Sequence, residues 1–203
     1  MTAKVERSEL VGCRTDLAMI ANDRNLKVAV EVGTDRGVFA AEFLEKWNGE
    51  MLFLVDPWKP YEDMPWDRTG DLFLAVAALA KFHRRVRFVR AESAEAAKYL
   101  TTYARGVDLV YLDGAHDYEN VKLDIAAWWP LVRPGGILAG DDYDTQEHEG
   151  VIQAVLEFAA EKDLVVRLTT DYNRFPSWYV EKPHPAPVPE EVPWDFSGGR
   201  LTD

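Results

Sequence analysis

Two short stretches hold most of the side chains that could do chemistry. One is Asp113-Gly-Ala-His116-Asp117-Tyr118 and the other is Gly140-Asp141-Asp142-Tyr143. Each follows an apolar run, 107–112 in the first case and 136–139 in the second, so the carboxylates stand at the ends of predicted strands. If those strands pair in parallel, Asp113, Asp141 and Asp142 meet at one edge and repel one another unless something neutralises them. A hard divalent cation relieves that repulsion, and Mg²⁺ keeps room for water or substrate oxygens among its ligands. A hydroxyl bound there loses its proton more easily, with His116 as the candidate general base and Asp117 as its substitute. The same residues have quieter readings. His116 could satisfy a loop carbonyl, Asp113 could be a strand-end acid with no metal, and Asp142 could merely precede the next helix. Asp144, Glu147, His148 and Glu149 read as a solvated acidic loop.

A second constellation lies earlier, in Glu31-Val-Gly33-Thr34-Asp35-Arg36-Gly37. Glycines at a strand-to-helix turn allow positive φ and close backbone approach. The dinucleotide turn G-x-G-x-x-G uses its second glycine to touch a pyrophosphate. Asp35 stands at that point and adds negative charge, which argues against a phosphate-bearing cofactor. At the end of the next apolar run, Asp56 could accept both hydroxyl protons of a ribose. Ala91, Glu92 and Ser93 follow the third strand. Each feature alone has a structural reading, a glycine turn or a helix cap, but their order along the chain forms a set.

Periodicity supplies the elements that position these residues. Strands are predicted over 28–32, 51–55, 86–90, 107–112, 136–139, 164–170 and 177–180. Helices are predicted over 37–47, 71–82, 94–103, 118–131 and 150–162. Such alternation implies an α/β, Rossmann-like, doubly wound sheet of seven mostly parallel strands with helices on both faces, and ligands at the strands' C-terminal ends. Residues 5–22 read as an amphipathic helix, so that 1–24 form an N-terminal cap and 25–182 the main domain. From 183 to 203 the chain is proline-rich and cannot belong to the sheet, although Trp194 and Phe196 could dock. Between Asp56 and the helix predicted over 71–82, Trp58, Tyr61 and Trp66 suit stacking on a substrate ring, core packing or dimerisation equally. Dimerisation through these rings would make the protein a homo-oligomer.

Composition limits the partners. The chain has 203 residues, with 35 acidic against 23 basic side chains and a net charge of −12. That field repels nucleic acid. The basic cluster Lys81, His83, Arg84, Arg85, Arg87 and Arg90 reads as a solvated helix end and strand edge. No apolar run approaches the ~18 residues of a membrane span, and the first residues lack the apolar core of a signal peptide. The single cysteine, Cys13, excludes an intrachain disulfide framework. A cytoplasmic protein with a small-molecule partner is expected, without nucleic acid or membrane.

The E-x-G-x-x-x-G turn followed by Asp56 resembles the first motifs of class I methyltransferases that use S-adenosylmethionine. In that family the turn holds the amino-acid and ribose portions of the cofactor. The resemblance implies cofactor contacts at Glu31, Gly33, Thr34, Gly37, Asp56 and Asp113, and adenine contacts at Glu92 and Ser93, where the chain departs from the commoner glycine-acid-alanine pattern. The D-x-x-H and D-D stretches are similar to those of the metal-dependent O-methyltransferases acting on sugars and hydroxylated antibiotics. That likeness covers roughly 28–180 and implies Mg²⁺ on Asp113, Asp141 and Asp142, with His116 as base. It leads to methyl transfer onto a hydroxyl of a small polar metabolite. Three alternatives remain at this point: a metal-independent methyltransferase using His116 or Asp117, an iron oxygenase drawing on Asp113, His116 and His148, and a non-catalytic binding protein.

Overall fold

The computed structural model describes residues 3–61, 65–103, 106–144, 146–170 and 175–185. Strands β1 (Lys4–Arg7), β2 (Val28–Val32), β3 (Met51–Val55), β4 (Val86–Val89), β5 (Val107–Leu112), β6 (Val132–Gly140), β7 (Val165–Leu168) and β8 (Trp178–Glu181) form one sheet. Helices α1 (Leu17–Asp23), α2 (Val38–Lys46), α3 (Thr69–Ala78), α4 (Ser93–Tyr103), α5 (Tyr118–Trp128) and α6 (Glu149–Lys162) cover it. The strand order is β1-β7-β8-β6-β5-β2-β3-β4. Only β8 runs antiparallel to its neighbours, β6 and β7; the remaining pairs are parallel.

Strand residues alternate between two apolar layers, as the two-residue period requires. Val30, Val32, Val110 and Leu112 join Leu100, Val121, Ile125, Trp128 and Val155 of α4, α5 and α6. Ala29, Leu109 and Tyr111 join Leu17, Ile20, Phe39, Phe43 and Trp47 on the other side. Every residue of β5 is buried, which is why its sequence is nearly unbroken apolar. Among neighbouring β2 and β5 the direction of winding reverses. The crevice at their C-terminal ends is therefore where a ligand belongs.

The N-terminal segment departs from the expected helix over 5–22. Lys4–Arg7 instead pairs in parallel with β7 and raises the sheet to eight strands. The Ser8 hydroxyl oxygen accepts from the backbone N–H groups of Leu10 and Val11, a local alternative to helical bonding that turns the chain. A short 3₁₀ turn, Arg14–Asp16, then leads into α1. Leu17, Ala18, Ile20 and Ala21 are buried in the sheet's second layer, so α1 packs into the core. No helix among the described residues is long and apolar enough to cross a membrane. Trp194 and Phe196 lie outside the described residues.

Candidate functional site

The turn after β2 is held from beneath. Gly33 and Gly37 have φ of +92° and +76°, the left-handed region that glycine enters without penalty. A Cβ on Gly33 would stand 1.9 Å from the Asp113 carbonyl oxygen. That glycine is therefore demanded first by the close approach of the β2 and β5 strand ends. Glu31 is fully buried and accepts the Thr34 hydroxyl at 2.9 Å. Burial, and then the nearby Asp113 charge, raises its pKa well above the usual carboxylate range.

Asp56 closes the other side of the turn. Its carboxylate accepts from the backbone N–H of Asp35 at 2.9 Å and of Trp58 at 2.7 Å. Arg68, itself buried, reaches Asp56 at 3.5 Å, Asp35 at 2.6 Å and Asp71 at 3.2 Å. Burial pushes Asp56 up despite these contacts. Trp58 is fully buried and donates its indole N–H to the Asp35 carbonyl. Of the three loop aromatics, it packs in the interior, whereas Trp66 is exposed.

The acidic edge is assembled where the parallel pairing of β5 and β6 places it. The Asp113 N–H bonds to the Val32 carbonyl, and the Asp141 N–H to the Leu112 carbonyl. Into this edge comes Arg14, whose Nη1 lies 3.2 Å from Asp113 Oδ2 and 2.5 Å from Asp141 Oδ2. Asp141 also accepts the Ser177 hydroxyl at 2.7 Å, and Ser177 in turn meets the Tyr111 hydroxyl. Asp142, at φ +56°, turns the other way and accepts from His116 Nε2 at 2.8 Å. The His148 ring lies beside it, with its centroid 4.7 Å from that of His116.

A family model described as a methyltransferase domain matches residues 30–143, from β2 through both acidic stretches. The chain belongs to that methyltransferase family. An uncharacterized protein, y4gI of Sinorhizobium fredii, is 30% identical over 109 residues, which is 53% of this chain and 12% of that protein. The chain thus spans a small part of that relative. Among solved structures, the calicheamicin methyltransferase CalS11 is similar with a TM-score of 0.66 and 17% identity, covering 82% of this chain and 76% of that one. The O-methyltransferase TomG from Streptomyces achromogenes, involved in tomaymycin synthesis and solved with S-adenosylmethionine, gives 0.60 and 15% over 82% and 77%.

The methyltransferase's electrostatics sort the expected site residues. Burial and the neighbouring Asp141 push Asp113 up to about 7, against the pull of Arg14. The bond to Asp142 raises His116 above the ordinary imidazole value, with burial opposing. Burial acts to raise Asp142, but the His116 bond and charge outweigh it and leave it lowered. Asp117 does not join the site. Its side chain caps α5, accepting from the Asn120 backbone N–H at 3.1 Å and side-chain amide at 2.8 Å. Those bonds hold its pKa down, which makes it a poor base. Glu92 pairs with Lys59 on the surface, while Ser93 accepts the Trp128 indole N–H at 2.9 Å.

The expected trio of Asp113, Asp141 and Asp142 reaches one edge but is not an open cage of carboxylates. Arg14 bridges the first two, and His116 takes the third. Sequence reasoning missed Arg14, which lies in the segment read as helix. The histidine pair considered for an iron site does meet, on Asp142 and not on Asp113. Asp144 accepts from the backbone N–H groups of Gln146 and Glu147, as a loop acid does. In the basic cluster, Arg85 and Arg90 are bonded to backbone carbonyls, and Lys81 pairs with Glu45.

Proposed function

We propose that this methyltransferase moves the methyl group of S-adenosylmethionine onto a hydroxyl of a small polar metabolite, a sugar or natural product, with His116 as general base. The observation that carries the reading is the Asp142–His116 pair at 2.8 Å, set on the strand ends beside the Gly33–Gly37 turn. Asp142 accepts from Nε2, which fixes the ring and leaves the Nδ1 lone pair to take the hydroxyl proton. The turn, with Asp56, Glu92, Ser93 and Glu31 behind it, forms the donor side. S-adenosylmethionine supplies a sulfonium methyl open to in-line attack. The Asp142 charge stabilises the imidazolium that forms when His116 accepts the proton.

CalS11 is named a calicheamicin methyltransferase and TomG is involved in tomaymycin synthesis, which supports a small-molecule acceptor. The acidic balance of the chain favours a small molecule over nucleic acid, and we place the enzyme in the cytoplasm. S-adenosylhomocysteine release from a panel of hydroxylated sugars and aglycones tests the reaction. His116→Ala should lower turnover by about 10²–10⁴-fold. No product from any acceptor, despite cofactor binding, would leave a ligand-binding protein instead.

A second reading adds Mg²⁺ on Asp113, Asp141 and Asp142. It is favoured by the crowding that lifts Asp113 to about 7 even with Arg14 in contact. The carboxylate donors are chemically suited to Mg²⁺, but the ion would have to displace Arg14. Bound there, it would act as a Lewis acid on the acceptor hydroxyl. Turnover that persists in EDTA supports Arg14 as the resident cation; turnover that needs added Mg²⁺ supports the second reading.

A further inference from the structure

The loop leading into α6 is brought hard against the turn after β5. A Cβ on Gly150 would lie 2.5 Å from the Tyr118 nitrogen and 2.9 Å from the His116 carbonyl oxygen, so only glycine allows this approach. It carries His148 to His116 and Asp142. One potential ligand atom from each of the three side chains lies within 4.8 Å of the others. The Phe175 ring meets His148 edge-on at 5.3 Å. His148 Nδ1 is buried, with no hydrogen-bond partner among the described residues. A buried nitrogen without a partner costs on the order of 1–3 kcal/mol, and a metal ion is one occupant that satisfies it.

We infer that His116, Asp142 and His148 form a site for a borderline divalent transition-metal ion of the Co²⁺, Ni²⁺ and Zn²⁺ class. Two imidazoles and one carboxylate select such ions, whereas Mg²⁺ prefers oxygen ligands throughout. Ligands in a tetrahedral zinc site stand roughly 3.4 Å apart when each is about 2.1 Å from the ion. Small side-chain movements therefore close the cluster. The consequence rests on the proposed role of His116. A metal bound through either nitrogen leaves that ring with no free lone pair for the acceptor hydroxyl, so the ion inhibits methyl transfer. Nothing in this arrangement involves Asp113 or Asp141, which keep Arg14.

Binding is measured on the tag-free, metal-stripped protein without cofactor or acceptor, so the result stands apart from whether the chain methylates anything. Co²⁺ should bind once per chain with visible d–d absorption. Zn²⁺ should displace it, and a thousandfold excess of Mg²⁺ should not. His148→Ala and, as a polar control on folding, His148→Gln should each weaken Co²⁺ binding by at least about 10-fold, since loss even of an outer partner costs that much. In an assay with a working acceptor, the same variants should be less sensitive to Zn²⁺. Absence of Co²⁺ binding, equal competition by Mg²⁺, or wild-type affinity in both folded variants would overturn the site.

Discussion

The carbonyl oxygen of Asp113 lies where a side chain on Gly33 would begin, 1.9 Å from the Cβ position. The glycine turn after β2 and the acidic edge are thus packed against each other through the Asp113 backbone. Gly33→Ala should lower stability on the order of 3 kcal/mol, because it combines a strained positive φ with an overpacked contact. Gly70→Ala, near the start of α3 with nothing within 4 Å of its Cβ position, should be neutral or slightly stabilising. Urea midpoints of the two variants provide the comparison. Equal midpoints would mean that the β2 turn tolerates a side chain and that the Asp113 backbone can move away from it.

Arg14 is the cation of the acidic edge. Arg14→Ala leaves Asp113 and Asp141 partly buried without it, and should cost on the order of 3 kcal/mol. The freed carboxylates then become a hard-cation site. Millimolar Mg²⁺ should raise the melting temperature of Arg14→Ala more than that of the wild type. An equal Mg²⁺ response in both proteins would show that Arg14 does not hold the place of a metal.

How much of this arrangement could be read from the chain depends on whether its cause is local. The strand ends were legible, because β5 is buried along its whole length and reads as an apolar run closed by Asp113. The parallel direction of β5 and β6 follows from the alternation of elements, whereas the register that brings the Asp141 N–H to the Leu112 carbonyl does not. Arg14 was not legible, since its partners are 99 and 127 residues away and no local period marks it. Strand β1 was hidden for a related reason: at a sheet edge its four residues include one apolar side chain, Val5. His148 reads as part of a polar loop or as one histidine of an iron site with Asp113, and only the close approach at Gly150 shows which side chains it meets. Asp56 was identified as a site carboxylate, but two backbone N–H bonds within the turn show how much of its capacity the fold already uses.

His116 and Asp117 are adjacent in sequence and make different contacts, His116 with Asp142 and Asp117 with the first turn of α5. Asp117→Ala removes the α5 cap and should lower stability by about 1 kcal/mol, with turnover per folded molecule unchanged. Asp117→Asn should be closer to wild type, because asparagine caps equally well. Thermal unfolding and S-adenosylhomocysteine release, measured on the same preparations, separate the two effects. A large loss of turnover in a folded Asp117→Asn protein would restore Asp117 as the base.

Asp124 on α5 carries a pH-dependent cost. Burial pushes its carboxyl up to about 6, the Ser93 hydroxyl opposes this by hydrogen bonding, and the charges of Asp117 and Glu92 add to it. The folded state therefore holds the proton more tightly than the unfolded chain, whose value is 3.8. Stability falls as pH rises from about 4 to about 6, and the full cost, at most about 3 kcal/mol, is present above that range. Asp124→Asn keeps an acceptor for Ser93 and has no charge to bury. It should melt above the wild type at pH 7.5, with the advantage shrinking toward zero at pH 4. A constant difference between the two proteins from pH 4 to 8 would mean that packing at this position, and not the carboxylate's charge, sets the effect.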